Sequence, residues 1–298
     1  MKVAVVGSGG WGTALALVLL ENGHEVTLWS FSEKEAEILR TQRENPLLKG
    51  VALPAALKIC TEIACVAEKE LVVFATPSFA VRETAQKAAP YLGDGTLVVS
   101  VSKGIEKGTS LRLSQIIDEE TKGHCRIVAL SGPSHAEEVG RHVPTGCVAA
   151  SLDREAAEMV QDAFMNERFR IYSSPDIVGV ELAAALKNVI ALCYGVCDGL
   201  GYGDNTRALL MTRGLTETAR LGVAMGGKKE TFAGLAGVGD LIVTCTSMHS
   251  RNHRAGILIG QGKSVEEALK EVGAVVEGYY ATDTVRTLAG KYGIEMPI

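Results

Sequence analysis

The spacing of three glycines near the start of the chain constrains the fold more than any other feature. Gly7, Gly9 and Gly12 form a G-x-G-x-x-G pattern that directly follows the apolar run Val3–Val6 and opens the helical stretch Thr13–Leu20. In a strand–turn–helix unit, the first glycine permits a tight turn, the second leaves bare backbone for a pyrophosphate, and the third lets the helix approach the strand. The pattern therefore predicts a dinucleotide-binding unit at the N-terminus.

Short apolar runs alternate with helical patterns through the first half of the chain. Near-continuous apolar runs of this length are typical of parallel strands that are buried on both faces. We predict strands over Val3–Val6, Val26–Trp29, Leu71–Phe74, Leu97–Val101 and Ile127–Leu130, and helices over Thr13–Leu20 and Glu33–Arg40. This alternation predicts a Rossmann-type, doubly wound parallel sheet.

The pattern becomes helical from about Ser173. Ser174 is a candidate helix cap, with Pro175 at the first helical position. The predicted helices are Ile177–Val196, Arg207–Ala224, Arg254–Ile259, Val265–Glu271 and Thr282–Tyr292. The sequence thus predicts an α/β dinucleotide-binding domain over residues 1–173, followed by a mostly α-helical substrate and catalytic domain over residues 174–298.

Charge and composition exclude several classes of function. The chain has 298 residues, of which 47% are hydrophobic, and a formal net charge of −5, so no broad basic field exists for nucleic acid or an anionic membrane. The opening Met1–Gly7 does not resemble a signal peptide, and no uncharged apolar run is long enough to insert into a membrane. The seven scattered cysteines are typical of reduced thiols, so we expect a cytoplasmic protein. Cys193 and Cys197 lie one helical turn apart without an accompanying ligand cluster, so we expect no metal site.

Lys187 lies inside the most apolar helical stretch of the chain. A buried ammonium group is costly unless it is paired or used, and burial lowers its pKa towards the range of a general acid or base. Such a lysine could protonate the alkoxide that forms when hydride reaches a ketone. A lysine that extends from a helix edge into solvent explains the pattern equally well. The helix alone leaves both interpretations open.

Two polar segments of the second half are further candidates. The glycine-rich segment Gly234–Leu241 could present Asp240 towards Lys187, although a flexible surface loop would have the same composition. The cluster Ser250–Arg254 precedes a helical stretch, where arginine and free helix amide groups favour a phosphate site. A solvated loop is the alternative for this cluster.

Polar residues also follow two predicted strands of the sheet. Lys103 comes after Leu97–Val101, and the segment Gly132–Ala136 comes after Ile127–Leu130. The carboxyl ends of the strands line the ligand crevice in this architecture. These residues are therefore candidates for contact with substrate or cofactor.

The end of the second predicted strand leaves the choice of cofactor open. A carboxylate at this position binds the ribose of NAD, whereas an arginine favours the 2′-phosphate of NADP. The segment Trp29–Ser32 contains neither. We therefore expect NAD or NADP, without a preference.

Together these motifs resemble the bacterial type of NAD(P)-dependent glycerol-3-phosphate dehydrogenase. The resemblance is carried by seven segments that follow the family's order through nearly the whole chain: Gly7–Ala14, Ser102–Gly104, Ser131–Ala136, Leu186–Val189, Gly237–Leu241, Ser250–Asn252 and Val276–Tyr279. It implies interconversion of dihydroxyacetone phosphate and sn-glycerol 3-phosphate, which supplies glycerol phosphate for phospholipid synthesis. It also implies a small phosphorylated substrate as the partner and a possible homodimer.

The resemblance assigns roles to individual residues. Lys187 would be the proton donor or acceptor, supported by Asp240 and Lys103. The substrate-binding residues would be Lys103, Gly132, Ser134, Lys187, Asn188, Asp240, Thr244, Ser250, Arg251 and Asn252. The cofactor-binding residues would be Gly7, Gly9, Gly10, Trp11, Gly12, Phe31, Lys103, Ala136, Arg251, Val275 and Glu277.

The chain departs from the family pattern at two places. Phe31 stands where the family usually has a basic or polar residue, which weakens any inference of NADP preference. The sequence ends at Ile298, where family members continue with helical sequence, so we expect a shortened C-terminus that exposes apolar surface.

Three other functions stay open on the sequence. The first is another two-domain NAD(P)-dependent hydroxyacid dehydrogenase, and the second is an inactive NAD(P)H-binding sensor. The third is a structural or interaction protein, which would need none of Lys187, Asp240 and Arg251.

Overall fold

The computed structural model describes every residue from Met1 to Ile298 and divides into two compact units. The first unit comprises Met1–Ser102, Leu113–Leu130 and Ser134–Pro175. The second unit comprises Asp176–Ile298 together with two segments from the first half of the chain, Lys103–Arg112 and Ser131–Pro133. The boundary between the units is therefore not a single point after residue 173, because Lys103–Arg112 and Ser131–Pro133 pack with the helical part of the chain.

The first unit is built on an eight-stranded sheet with the order β3-β2-β1-β4-β5-β6-β7-β8. The strands are β1 Lys2–Val6, β2 Glu25–Trp29, β3 Lys58–Cys60, β4 Leu71–Phe74, β5 Leu97–Ser100, β6 Arg126–Ser131, β7 Thr145–Ala150 and β8 Phe169–Ser174. Strands β1 to β6 pair in parallel, as do β7 and β8. The order of the first six strands confirms the predicted Rossmann-type sheet.

Three of these strands were not predicted. Strand β3 is short and lies at the edge of the sheet. Strand β7 is rich in small residues, and β8 alternates buried and exposed positions along its first half. None of the three has the valine-rich apolar run that marks β1, β4 and β5.

The direction of chain progression reverses at β1, which has β2 on one side and β4 on the other. In this architecture such a reversal opens a crevice beyond the carboxyl ends of the strands. Gly7, the residue that follows β1, lies at this point with φ +125°. The fold thus places the glycine pattern where a nucleotide-binding turn belongs.

Helices surround this sheet in the first unit. They are α1 Gly10–Glu21, α2 Glu33–Gln42, α3 Val81–Ala88, α4 Leu113–Glu120, α5 Ala136–Val139 and α6 Arg154–Phe164. Helix α1 is buried from Gly12 to Leu19, and its leucines share one core with the valines of β1 and β4. Burial on nearly all sides explains why α1 has so little polar sequence.

The second unit consists of helices, as predicted for this part of the chain. They are α7 Ile177–Gly199, α8 Asp204–Ala224, α9 Lys229–Phe232, α10 Asp240–Thr246, α11 Arg251–Gly260, α12 Val265–Val272 and α13 Glu277–Tyr292. A single π-helical turn, Leu235–Gly239, precedes α10.

The predicted start of α7 was wrong. Ser174 is the last residue of β8, where it continues the pairing with β7, and the N-cap is Asp176. The Asp176 carboxylate accepts hydrogen bonds from the backbone N–H of Gly179 and of Lys228, 2.9 and 2.8 Å away. The pairing of β8 with β7 therefore outweighs the preference of serine for a helix N-cap. The Asp176 carboxylate also joins the start of α7 to the segment before α9.

Helix α7 is long and apolar enough to cross a membrane, but 83% of its apolar stretch is buried inside the protein. Its side chains Leu182, Leu186 and Val189 pack with Leu221 of α8 and Leu288 of α13. Helix α7 is therefore the central core helix of the second unit.

Glycines bring α7 and α11 into backbone contact. A Cβ at Gly195 of α7 would lie 2.2 Å from the carbonyl oxygen of His253, and one at Gly256 of α11 would lie 2.1 Å from that of Leu192. Gly199 and Gly260 repeat the arrangement one turn further along. The two helices therefore pack more closely than any larger residue would allow.

We predict that Gly256→Ala lowers the free energy of unfolding by about 1–3 kcal/mol, because the added methyl group must push α7 and α11 apart. The matched control is Gly290→Ala in α13, where an added Cβ meets nothing within 4 Å. We expect this variant to be unchanged or more stable by up to about 1 kcal/mol, since alanine favours the helix. Urea denaturation of both variants is the measurement, and equal effects would contradict the proposed helix contact.

Candidate active site

The ammonium group of Lys187 is buried at the centre of the second unit. The residue is 5% exposed, and its Nζ lies 2.9 Å from Oδ1 of Asp240. It also donates a hydrogen bond to Oγ1 of Thr244. These contacts use two of the three donors of the ammonium group and leave one for a ligand. Burial excludes the alternative in which Lys187 extends into solvent.

Asp240 joins two lysines. Its Oδ2 accepts a hydrogen bond of 2.8 Å from Nζ of Lys103, which also donates to the carbonyl oxygen of Gly132 at 3.2 Å. The Asp240 residue is only 1% exposed. One carboxylate between two ammonium groups leaves a net positive charge, which favours a phosphorylated or oxyanionic ligand.

Burial and charge shift the pKa values of this group in opposite ways. Burial lowers the pKa of Lys187 to about 8, and the charge of Lys103 adds to this effect while the Asp240 carboxylate opposes it. Burial alone would raise the pKa of Asp240, but Lys103 and Lys187 outweigh it and hold that pKa below its usual value. Asp240 therefore stays ionised, and Lys187 is able to exchange a proton near neutral pH.

The glycine-rich segment before Asp240 is not a flexible loop. It forms the π-helical turn Leu235–Gly239, in which the N–H of Gly239 donates to the carbonyl oxygen of Gly234 at 3.2 Å. A Cβ at Gly237 would lie 2.1 Å from the carbonyl oxygen of Phe232. The glycines therefore serve close packing, and they aim the first residue of α10 into the interior.

Lys103 is held by a segment that sequence reasoning did not connect to α7. Ile105 packs against Leu182 and Leu186, and Arg112 forms an ion pair with Glu181. Only 14% of the Arg112 side chain and 7% of the Glu181 side chain are exposed. The segment Lys103–Arg112 is thus anchored along α7, although no local motif marks an ion pair across so long a sequence separation.

The polar cluster Ser250–Asn252 forms the beginning of α11, which starts at Arg251 rather than at the predicted Arg254. Ser250 is the N-cap, and its Oγ accepts a hydrogen bond from the N–H of His253 at 3.2 Å. Arg251 is exposed. The positive end of the helix dipole lies beside this arginine, which favours a phosphate group.

Asn252 connects this cluster to α7 and α13. Its Nδ2 donates to Oδ1 of Asn188 at 3.0 Å, and its Oδ1 accepts from the N–H of Gly278 at 2.8 Å. Val275 precedes α13 and Glu277 begins it, and both are partly buried. The second unit thus brings together predicted residues from six separate parts of the sequence.

The glycine loop of the first unit has the shape that a dinucleotide requires. A Cβ at Gly7 would lie 2.6 Å from the carbonyl oxygen of Ala75, and a Cβ at Gly12 would lie 2.0 Å from that of Gly7. At Gly9 an added Cβ meets nothing within 4 Å, and no side chain caps α1. The first helix therefore presents amide groups to open space, which fits a pyrophosphate.

Other predicted cofactor residues also lie in the first unit. Trp11 has a buried Nε1 without a hydrogen-bond partner, and Ala136 begins α5 close to Gly10. Ser134, which the resemblance assigns to the substrate, belongs to this unit as well and is partly buried. Phe31 is 77% exposed beyond the end of β2.

The surroundings of Phe31 do not discriminate between the two dinucleotides. Nζ of Lys87 lies 6.0 Å from the centre of the Phe31 ring. Ser30, which directly precedes Phe31 in the sequence, is buried, and its Oγ accepts a hydrogen bond of 2.8 Å from Oγ of Ser8. A lysine at this rim is compatible with a 2′-phosphate, whereas a phenyl ring is neutral towards either cofactor.

Comparison with known proteins places these features in one family. The family model for the N-terminus of NAD-dependent glycerol-3-phosphate dehydrogenase matches residues 2–157, and the model for its C-terminus matches residues 176–298. The glycerol-3-phosphate dehydrogenase [NAD(P)+] of Desulfitobacterium hafniense is 55% identical over 298 residues, which cover all of this chain and 84% of that protein. The corresponding Moorella thermoacetica protein is 56% identical over 299 residues, which cover all of this chain and 89% of the relative.

Solved structures agree with this result. The crystal structure of glycerol-3-phosphate dehydrogenase from Coxiella burnetii superposes with a TM-score of 0.95 at 38% identity, covering 99% of this chain and 91% of that one. A D-mandelate dehydrogenase complex with NADH has a TM-score of 0.67 at 18% identity, with 100% and 94% coverage, and this likeness concerns the fold alone. The chain belongs to the NAD-dependent glycerol-3-phosphate dehydrogenase family.

Proposed function

We propose that this chain interconverts dihydroxyacetone phosphate and sn-glycerol 3-phosphate with NAD or NADP as the redox partner. The observation that carries the proposal is the buried group in which Asp240 bridges Lys187 and Lys103. A ketone reductase needs a proton donor with a pKa near neutral at the carbonyl oxygen, and Lys187 supplies one.

Lys187 is the proton donor in the direction of reduction. A reduced nicotinamide, when bound, would supply hydride to C2 of the ketone. Lys187 donates a proton to the C2 oxygen, so that the carbonyl becomes a secondary alcohol and the lysine becomes neutral. In the reverse reaction, neutral Lys187 accepts the hydroxyl proton. Asp240 keeps the ammonium group oriented, and Lys103 adds positive charge where the alkoxide forms.

The N-terminus of α11 binds the phosphate group. Arg251 offers a planar pair of donors, while Ser250 and Asn252 add polar groups at the helix start. Binding energy from this remote phosphate orients C2 towards Lys187. Asn188 and Thr244, which contact Asn252 and Lys187, complete the substrate set.

The proposal also covers the domain organisation, the cofactor set, the cellular location and the oligomeric state. Residues 1–173 form the dinucleotide-binding domain and residues 174–298 the catalytic domain, with Lys103 and Gly132 contributed to the substrate site from the first part. The cofactor set is the one that the sequence predicts, from Gly7 to Glu277. The reaction takes place in the cytoplasm, supplies glycerol phosphate for phospholipid synthesis, and is carried out by a homodimer. It involves neither nucleic acid nor insertion into a membrane.

The deciding experiment follows the absorbance of NADH, and separately of NADPH, after dihydroxyacetone phosphate is added to the purified protein. Oxidation of either cofactor supports the proposal, and the ratio of the two rates gives the cofactor preference. Oxidation with 3-oxoacids alone would identify a hydroxyacid dehydrogenase instead. Nucleotide binding without turnover on any substrate would support the sensor function.

We predict that Lys187→Ala lowers kcat by about 10²–10⁴, because the proton donor is lost. Dinucleotide affinity should be retained. The matched control is Lys270→Ala, which removes an exposed lysine from α12 and should leave kcat unchanged. Steady-state kinetics and a fluorescence titration with NADH are the measurements. Near-normal turnover of the Lys187 variant would overturn its assignment.

The pKa of about 8 for Lys187 predicts opposite pH profiles for the two directions. Reduction needs the ammonium form, so its kcat/KM should fall as pH rises above about 8. Oxidation needs the neutral amine, so its kcat/KM should rise with pH and level off above the same value. In Asp240→Asn the midpoint of the residual activity should move to lower pH, because a charge that stabilises the ammonium group is removed. Identical midpoints in both proteins would contradict the coupling of Lys187 to Asp240.

Two glycine variants should separate cofactor binding from folding. In Gly9→Ala the added methyl group meets no protein atom but occupies the space for the pyrophosphate, so the dinucleotide Kd should rise about tenfold or more with unchanged stability. In Gly12→Ala the methyl group meets the carbonyl oxygen of Gly7, so stability itself should fall. Thermal unfolding and NADH titration of both variants test this. Normal NADH affinity in Gly9→Ala would argue against pyrophosphate binding at this loop.

A further inference from the structure

A buried histidine outside the proposed substrate set joins three helices of the second unit. His253, in the first turn of α11, is 3% exposed. Its Nε2 lies 2.6 Å from Oδ2 of Asp198 near the end of α7, and its Nδ1 lies 3.2 Å from the carbonyl oxygen of Ser247. Ser247 is the C-cap of α10, the helix that carries Asp240.

Both partners of this ring are acceptors. Both ring nitrogens of His253 therefore lie within hydrogen-bond distance of an acceptor, one on α7 and one at the end of α10. Two hydrogen bonds on opposite sides of a planar ring set its position and its rotation. The ring of Tyr194 packs edge-on against the His253 ring, with 5.4 Å between the two centroids. This contact covers the imidazole ring from a third direction.

Asp198 is itself held in place. Its Oδ1 lies 3.1 Å from Nη1 of Arg207, which comes from α8. The carboxylate is therefore shared between a cation of α8 and the imidazole ring of α11. A carboxylate with two such partners is a firm anchor for the ring.

The same histidine belongs to the turn that precedes α11. The N–H of Ser250 donates to the carbonyl oxygen of Ser247 at 3.1 Å, and the N–H of His253 donates to Oγ of Ser250 at 3.2 Å. Because the ring bonds to Ser247 as well, His253 is joined to this turn through both its backbone and its side chain, and its ring links the turn to Asp198 of α7. Arg251 and Asn252 lie within the turn thus held.

The glycine contacts between α7 and α11 do not make this link unnecessary. Gly195 and Gly256 set how closely the two helices approach, but a contact without side chains resists sliding and rotation only weakly. The directional hydrogen bond between Asp198 and His253 adds a second restraint to the one between Asn188 and Asn252. Lys187 and Asp198 lie on the same helix, about three turns apart, so the bonds at Asn188 and Asp198 hold the start of α11 at two points along the helix that carries the proton donor.

We propose that Asp198 and His253 are positioning residues that hold the phosphate-binding start of α11 at the correct distance from Lys187. This inference rests on the proposed function, in which Ser250, Arg251 and Asn252 bind the substrate phosphate. Neither residue touches substrate in this scheme. Their loss should therefore weaken recognition of the phosphate group and leave the chemistry at C2 largely intact.

The test compares Asp198→Asn, His253→Leu and His253→Gln with the unmodified chain. We measure kcat and KM for dihydroxyacetone phosphate, and kcat/KM for dihydroxyacetone, which has no phosphate. Asp198→Asn and His253→Leu should raise the KM for the phosphorylated substrate about tenfold, the value of one charged hydrogen bond, with kcat changed less than about twofold. The kcat/KM for dihydroxyacetone should stay the same. His253→Gln retains a donor and should be partly rescued.

The matched control is His24→Leu in the first unit. His24 is also hydrogen-bonded through both ring nitrogens, to the Met1 amino group at 3.3 Å and to the carbonyl oxygen of Ala163 at 3.0 Å. This variant should change thermal stability without changing the KM for dihydroxyacetone phosphate. Circular dichroism confirms folding of each variant, and Asp198→Asn keeps the test available if His253→Leu does not fold.

Several results would overturn the proposal. One is a KM for dihydroxyacetone phosphate within twofold of the unmodified value in folded Asp198→Asn. Another is an equal loss of activity on the phosphorylated and unphosphorylated substrates, which would show a structural role only.

A binding measurement separates this proposal from the proposed function. If the unmodified chain does not turn over dihydroxyacetone phosphate, the proposed reaction is wrong, and calorimetry with sn-glycerol 3-phosphate then judges the positioning role. A Kd raised about tenfold in Asp198→Asn supports that role, and an unchanged Kd overturns it. Failure of the unmodified chain to bind sn-glycerol 3-phosphate overturns both proposals.

Discussion

The buried carboxylate of Asp240 between Lys103 and Lys187 is the interaction on which the second unit depends. Each of these charges would be expensive to bury alone, and each becomes tolerable because the other two are present. The group also needs its surroundings: the turn Leu235–Gly239 aims Asp240 inward, and the segment that begins at Lys103 is anchored to α7 through Arg112. Removal of Asp240 would leave two ammonium groups without a counter-charge, so the geometry of the site and the stability of the unit are linked.

Glycine has the same physical role in both units, although the surrounding structures differ. At Gly7 and Gly12 its missing side chain lets a strand and a helix approach each other, and at Gly195 and Gly256 it lets two helices do so. The first approach leaves helix amides open to a dinucleotide, while the second brings the start of α11 close to the helix that carries Lys187. At all four positions glycine therefore serves close packing of the backbone.

Prediction from sequence succeeded where the pattern is local and failed where long-range packing competes with it. The strand Leu71–Phe74 was predicted to the residue, because four buried apolar residues in a row leave little alternative. The start of α7 was wrong, because Ser174 pairs with β7 and leaves the cap to Asp176. The equal spacing of Gly195 with Gly199 and of Gly256 with Gly260 was a signal that could have revealed the contact between α7 and α11. No comparable signal marks the pair Asp198 and His253.

Local patterns in the chain were enough to specify a dinucleotide-binding turn, a helical second half and a set of candidate polar residues. They left two states open for Lys187, buried or extended into solvent, because a helix of apolar residues permits both. Three-dimensional packing resolved that choice by placing Asp240 and Thr244 around Nζ and by bringing Lys103 across the carboxylate from a distant part of the chain. The physical reason is that the charge and pKa of a side chain depend on its burial and on its neighbours in space, and these neighbours lie far apart in sequence.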